Sequence, residues 1–554
     1  MLVALPAAHE NRSTCVRLTV VSAALVLALG LAQDARAQDA RLPDIGSSAG
    51  ELLSPEEEVQ YGAYTLFALR RAGYVLEDPL VDSWLESMGH RLAAASDRPM
   101  QHFTFFMIRD RQINAFATLG GYIGVNAGTV LAAESEDEVA GVVAHEVSHV
   151  TQRHVLRAVE RAKKDQLPIL LATLGVIIAA QGQSTNERTG HNSGDDAIQA
   201  AVIGGQALAA QRQINYTRSS ESEADRVGIQ TLHQAGYHAD GMADFFARME
   251  RLTRGDSGGD QAPAYLKTHP ITTTRISEAR ERARRLESAP SAPTGRVVTS
   301  GNPLLPFPLA TAAAPGGAAQ PAPEPIRMFP WARERLRVLS APTPAVALRE
   351  TRLRVDQAGA EVDDPRRYGL ALANLKAGYP AAAEAQLEAL AKRNPSNLWI
   401  GLAQAETAYA ARDGKLARRR YEDLLAQHPQ DRAVSLGYAE TLNALGDRED
   451  GRRAQELLRP LLADNSDNPL FQRTYARAAE LAGDIPRAGE AYAEAAYLNG
   501  RAEDALNQLT ALLKRGDLDY VQRARIEARI AAITPEVLEL RRRKIHPQDL
   551  PADG

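Results

Sequence analysis

Small residues recur at a fixed interval through the second half of this chain. Ala371, Ala405 and Ala439 stand 34 residues apart, as do Ala383 and Ala417, Leu387 and Tyr421, Leu390 and Leu424, and Pro395 and Pro429. A period of that length is too long for one helix or strand and suits one helix–turn–helix unit. Such a unit cannot bury its apolar face alone, so neighbours must stack, and the pattern calls for an array of helix pairs. Ala476 follows Ala439 by 37 residues, and Gly483, Ala488 and Tyr492 then continue the offsets, which places an insertion of three around Arg448 to Arg453. The array covers about Asp364 to Gly500, with a degraded further unit to about Ile533.

These positional classes resemble the tetratricopeptide repeat: a small residue on the first helix, a turn, small then aromatic residues on the second helix, and a closing proline. The resemblance implies an all-α solenoid whose concave surface binds peptides or protein partners.

The 554 residues are too many for one core. The seam is visible as nine prolines between Pro290 and Pro325, with Gly316-Gly317 and many alanines, a composition with too little apolar surface to bury. We therefore expect a first domain over 38–286, a Pro/Ala-rich linker over 287–328 and the repeat domain over 329–554. A formal charge of −5 provides no basic field, which argues against a nucleic-acid partner.

At the start of the chain, Arg12 and Arg17 precede an apolar run from Leu18 to Leu31, and Ala35-Arg36-Ala37 follows as a small-x-small cleavage pattern. The run is shorter than the roughly 20 residues a spanning helix needs. We expect residues 1–37 to be a signal peptide and the chain to be exported. The single cysteine, Cys15, lies inside that leader, so any metal in the mature chain must be held by nitrogen and oxygen.

His145-Glu146-Val147-Ser148-His149 follows the apolar stretch Val139 to Ala144, with Ser135 and Glu138 spaced as a capping box. The motif is therefore helical. Residues four apart share a helix face, so both imidazoles can reach one zinc ion while Glu146 projects beside it to take a proton from zinc-bound water. A catalytic zinc needs a third protein ligand, and Glu221, Glu223 and Asp225 offer three carboxylates at the start of an apparent second helix.

Here the chain resembles the gluzincin peptidases of the HtpX and CAAX prenyl protease clan, whose signature is a helical HExxH followed by a distant Glu-x-x-Ala-Asp. Matched residue by residue, the resemblance makes Glu221 the third ligand and Asp225 the carboxylate that orients a zinc-binding imidazole. Glu223 is off by two positions and reads as a solvated charge. His102 to Phe105 alternates as a strand, and 114–125 reads as a second strand, a turn and a third. The clan carries a similar Asn-Ala-Phe segment and Gly-Gly turn, which implies a substrate-pairing edge at Asn114, Ala115, Phe116, Gly120 and Gly121.

His269-Pro270 followed by Arg275-Ile276 is similar to a segment of the BepA-type periplasmic metalloproteases, which also carry a C-terminal tetratricopeptide half. In that family this histidine can approach the zinc and hold a closed resting state, so the resemblance makes His269 a regulatory, displaceable fourth ligand. The competing role is hydrogen-bond donation to the oxyanion. The apolar runs Ile169 to Ala180 and Ala197 to Ala210 are too short to span a bilayer and read as helices over the active site, with peripheral membrane or apolar-substrate contact as the alternative. His154, His191, His233 and His238 have no ligand spacing to one another and read as structural or solvated.

The expected fold class is α+β: a mainly helical, zincin-type metalloprotease domain with a small sheet, followed by an all-α tetratricopeptide solenoid. The expected activity is that of a zinc-dependent endopeptidase with one Zn2+ per chain. By resemblance it acts in the Gram-negative periplasm on misassembled outer-membrane proteins, its repeats docking polypeptide substrates or the assembly machinery. A rival reading makes the chain a chaperone or assembly scaffold in which proteolysis is rare or vestigial.

Overall fold

The computed structural model describes residues 53–158, 160–161, 217–255, 265–266, 269–288 and 328–542. The leader, the apolar runs at 169–180 and 197–210, the intervening loop with His191, and most of the linker lie outside the described residues.

Two helices open the first half. α1, Pro55–Arg71, starts from a capping box in which Ser54 accepts from the Glu57 backbone and the Glu57 carboxylate accepts from the Ser54 backbone. α2, Pro79–Ala94, is capped by Asp78. The sheet follows, with β1 Thr104–Ile108, β2 Ala115–Ala117 and β3 Tyr122–Asn126 in the order β1-β3-β2. β1 runs parallel to β3, and β2 pairs with it antiparallel to form the edge. The turn between β2 and β3 holds Gly120 and Gly121 at φ of 68° and 85°. It leaves no space for side chains, because a Cβ on Gly120 would lie 2.5 Å from Val59 Cα and one on Gly121 would lie 1.8 Å from the His102 carbonyl oxygen.

α3, Ala127–Ala132, leads into α4, Glu136–Thr151, the helix that carries the HExxH motif. Ser135 caps α4 by accepting from the Glu138 backbone at 3.2 Å. The other half of the expected capping box is absent. The Glu138 carboxylate accepts instead from the Glu134 backbone and from Arg248. α4 is apolar almost all round, with Val139, Ala140, Val142, Val143, Ala144 and Val147 fully buried, so it forms the centre of this half. α5 (217–234), α6 (Gly241–Gly255) and α7 (Thr273–Ser288) surround it.

The second half begins with α8 Phe329–Leu339 and α9 Pro344–Ala358. Four helix pairs follow: α10 Asp364–Lys376 with α11 Pro380–Arg393, α12 Leu398–Ala410 with α13 Gly414–Gln427, α14 Arg432–Leu445 with α15 Arg448–Leu458, and α16 Pro469–Ala482 with α17 Ile485–Leu498. α18 Ala502–Leu513 and α19 Tyr520–Arg542 close the described chain. The first helices of the pairs start 34, 34 and 37 residues apart, and the recurring Ala371, Ala405, Ala439 and Ala476 are all fully buried. The insertion falls later than the sequence suggests. α15 begins in register at Arg448, and the extra residues enter after Leu458 as a 3-10 turn, Arg459–Leu461, and the turns that follow it.

The two halves pack on each other. Arg335 of α8 is buried, donating to both carboxylate oxygens of Asp78 at 2.8 and 2.7 Å and to the Tyr368 hydroxyl and Glu406. Arg432 of α14 bonds Ser83 and Glu86, and Tyr64 of α1 donates to Glu536 of α19 at 3.1 Å. A cavity of about 620 Å³ separates Leu76 to Leu80 and Arg109 from the first helices α10, α12, α14 and α16. No helix among the described residues is long and apolar enough to cross a membrane.

Candidate metal centre

The centre forms where α4, α5 and the segment before α7 converge. The helix brings His145 and His149 together, their Nε2 atoms 3.0 Å apart. Close helix approach brings up the rest. Gly228 of α5 lies so near α4 that a Cβ would be 3.2 Å from the Ala144 carbonyl oxygen and the His145 nitrogen. Glu221 of α5 places Oε2 3.3 Å from His145 Nε2 and Oε1 3.4 Å from His149 Nε2. His269 completes the set, with Nδ1 3.3 Å from His145 Nε2 and 3.0 Å from Glu221 Oε1. Three of the four are buried, and His149 is nearly so.

Lone pairs that converge in this way repel unless a cation or proton lies between them. Four ligands about 2.1 Å from a tetrahedral zinc stand about 3.4 Å apart; five of the separations here are 3.0 to 3.4 Å, and one atom from each of the four residues lies within 4.8 Å of all the others. The donor set therefore fits a zinc-sized cation. Electrostatics favour positive charge at His145 and negative charge at Glu221, with His149 kept neutral. Burial would depress the His145 imidazole, but hydrogen bonding to Asp225 and Glu221 overrides it and pushes His145 up to about 10. Burial would raise the Glu221 carboxyl, but His145 and His269 hold it far below the usual carboxylate range. His149 is driven well below its ordinary value, first by burial and then by the charge on His145.

Supporting groups fix these side chains. Asp225 Oδ1 lies 3.0 Å from His145 Nδ1, the ring nitrogen turned away from the cluster. Arg275 of α7 grips Asp225 with two hydrogen bonds of 2.7 Å, reaches Glu221 at 3.0 Å and donates to the Pro270 carbonyl. Its guanidinium stacks over Phe246, whose ring meets the edge of His145. Tyr265 stacks on His269 at 4.8 Å, while its backbone N–H donates to the Ile113 carbonyl, just before β2. Glu146 is 1 % exposed, and its Oε1 has no hydrogen-bond donor among the described residues. That oxygen lies 3.6 Å from His269 Nε2. An orphaned carboxylate oxygen beside a cation-sized donor set is an acceptor held in reserve.

Residues 79–283 match the peptidase family M48. This segment is a peptidase family M48 domain. It contains His145, Glu146, His149, Glu221, Asp225, His269 and Arg275. The chain is 42% identical over 252 residues to a putative beta-barrel assembly-enhancing protease of Vibrio cholerae, covering 46% of this chain and 49% of that protein. It is 35% identical to the beta-barrel assembly-enhancing protease of Escherichia coli K12, covering 44% and 47%. Against the mitochondrial metalloendopeptidase OMA1 of Schizosaccharomyces pombe, it is 25% identical, covering 34% and 50%. The chain thus spans about half the length of the curated relatives it matches.

Other sequence-selected residues of the M48 domain take varied places. Ala115 is buried and Asn114 and Phe116 are half-buried along the β2 edge, whereas Gly120 and Gly121 are buried against α1 and the approach to β1. His233 and His238 are exposed. Sequence reasoning missed three contributors. Arg275 was recognised only as part of a segment. His154 and Glu223, read as structural and solvated, stand directly behind His149.

Proposed function

We propose that this chain is an exported zinc endopeptidase that cleaves misassembled envelope proteins, with its repeats holding substrates or docking on outer-membrane assembly machinery. The convergence of His145, His149 and Glu221 beside buried Glu146, within an M48 domain, is the observation that carries this reading. The similarity to proteins named beta-barrel assembly-enhancing proteases supports a link to β-barrel assembly, and the periplasmic setting rests on the expected export signal. The buried 34-residue repeat positions support tetratricopeptide identity for α10 to α17.

His145, His149 and Glu221 would hold one zinc per chain, with Asp225 and Arg275 fixing the ligands. Zinc supplies a Lewis acid for the peptide carbonyl and activates water at neutral pH. Glu146 takes the proton from the attacking water and returns it to the leaving amine. The outer edge of β2, at Ala115 and Phe116, would pair with an extended substrate, beside Asn114, whose own backbone N–H and carbonyl are held by Thr129.

Metal analysis tests the ligand assignment. The wild-type protein should carry one zinc per chain, and Glu221→Ala should lose most of it. Retention of full zinc by Glu221→Ala would show that the wrong carboxylate has been chosen.

His269 lies within the donor set, so it would act as a displaceable fourth ligand. His269→Ala should raise basal cleavage of an unfolded protein several-fold, and adding Glu146→Gln should abolish the increase. Loss of activity with zinc unchanged would instead assign His269 to the oxyanion.

A further inference from the structure

His149 and His154 are five residues apart, a spacing that on an unbroken helix would set them about 140° apart around the axis. They meet because the helix breaks. α4 ends at Thr151, Arg153 takes a left-handed φ of 55°, and a new helical turn begins at His154. His154 is thereby folded back under the motif helix, 4 % exposed, with its Nδ1 2.9 Å from Nδ1 of His149. On the far side of the ring, His154 Nε2 lies 3.1 Å from Glu223 Oε2. Arg157 donates to that same oxygen from both terminal nitrogens.

The direction of each hydrogen bond follows from the ends of this chain of groups. Glu223 Oε2 accepts from both terminal nitrogens of Arg157, and a carboxylate oxygen can only accept, so His154 Nε2 donates to it. In that tautomer His154 presents Nδ1 as an acceptor, 2.9 Å from His149 Nδ1, which is then the donor. That leaves His149 Nε2 with its lone pair free, and this is the atom that faces His145 and Glu221.

We propose that His154 and Glu223 are positioning residues that fix the tautomer and ring orientation of His149. They form a carboxylate–imidazole–imidazole arm, the counterpart of the direct Asp225 contact to His145. Ligand-orienting partners of this kind typically matter 10–100-fold in metal affinity. The inference rests on the zinc site proposed above.

Zinc affinity of the full chain, measured by competition with a chromophoric chelator, tests it, with circular dichroism confirming the fold. His154→Ala should bind zinc roughly 10–100-fold more weakly than wild type. His154→Gln should recover most of that loss, because its amide can accept from His149 and donate to Glu223. Glu223→Ala should weaken zinc binding in the same direction. Zinc affinity of His154→Ala within twofold of wild type would overturn the arm. So would a folded His154→Gln protein as weak as His154→Ala, since ring packing rather than hydrogen bonding would then be responsible. If the wild-type chain takes up no zinc, the metal reading itself falls and the arm with it.

Discussion

Glu146→Gln is expected to lower cleavage of an unfolded protein by roughly 10²- to 10⁴-fold, the usual contribution of general acid–base catalysis, while zinc content and fold stay unchanged. Glutamine preserves the length and planarity of the side chain but cannot take up a proton. Glu146 is buried on the motif helix, 3.6 Å from His269, and is not one of the four converging donors, so the exchange should leave the proposed ligands in place. Retention of more than a tenth of wild-type activity would show that another group serves as the base. The same variant separates the enzyme from its rival. If it fully restores the envelope of a strain lacking the protein, the chaperone role dominates.

The second large effect lies far from the candidate metal centre. Arg335→Met should destabilise the folded chain by about 3–5 kcal/mol, the usual result of stranding one member of a buried ion pair. Arg335 and Asp78 are almost wholly buried, and they join the two halves through paired hydrogen bonds. Combining Arg335→Met with Asp78→Asn should recover much of the loss, because an amide can still cap α2 and leaves no charge unpaired. Denaturant unfolding at neutral pH measures both. Burial would raise the Asp78 carboxyl, but Arg335 outweighs it and holds it below its ordinary value. The folded value thus lies beneath the unfolded one, so the contribution is complete above roughly pH 4 and fades as pH falls further. A single variant within 1 kcal/mol of wild type would show that the pair contributes little.

What could be read from the sequence was whatever leaves a local pattern. The motif helix announces itself through its Ser135 cap and four-residue histidine spacing, and the repeats through alanines that are buried at every turn of the period. The HExxH and Glu-x-x-Ala-Asp signatures single out His145, His149, Glu221 and Asp225 together. The arm behind His149 was hidden because it depends on left-handed backbone at Arg153, a residue type that does not advertise such a turn. The packing of the halves was hidden for another reason. Arg335 meets Asp78 across 257 residues and Arg432 meets Ser83 across 349, and complementarity at that range has no period.

The contacts at both ends of the repeat array carry a mechanical consequence. Arg335 fastens its beginning to Asp78 at the head of α2. At its end, Gly500 lies against the Phe67 ring, and Glu536 ties Tyr64 to Tyr497. A solenoid with one free end answers a pull by changing its pitch, like a spring, whereas one clamped at both ends to a rigid block cannot lengthen. The gap between the repeats and Leu76 to Leu80 therefore has a fixed aperture. Under the proposed function, the first half would act as a caliper for a polypeptide entering that gap.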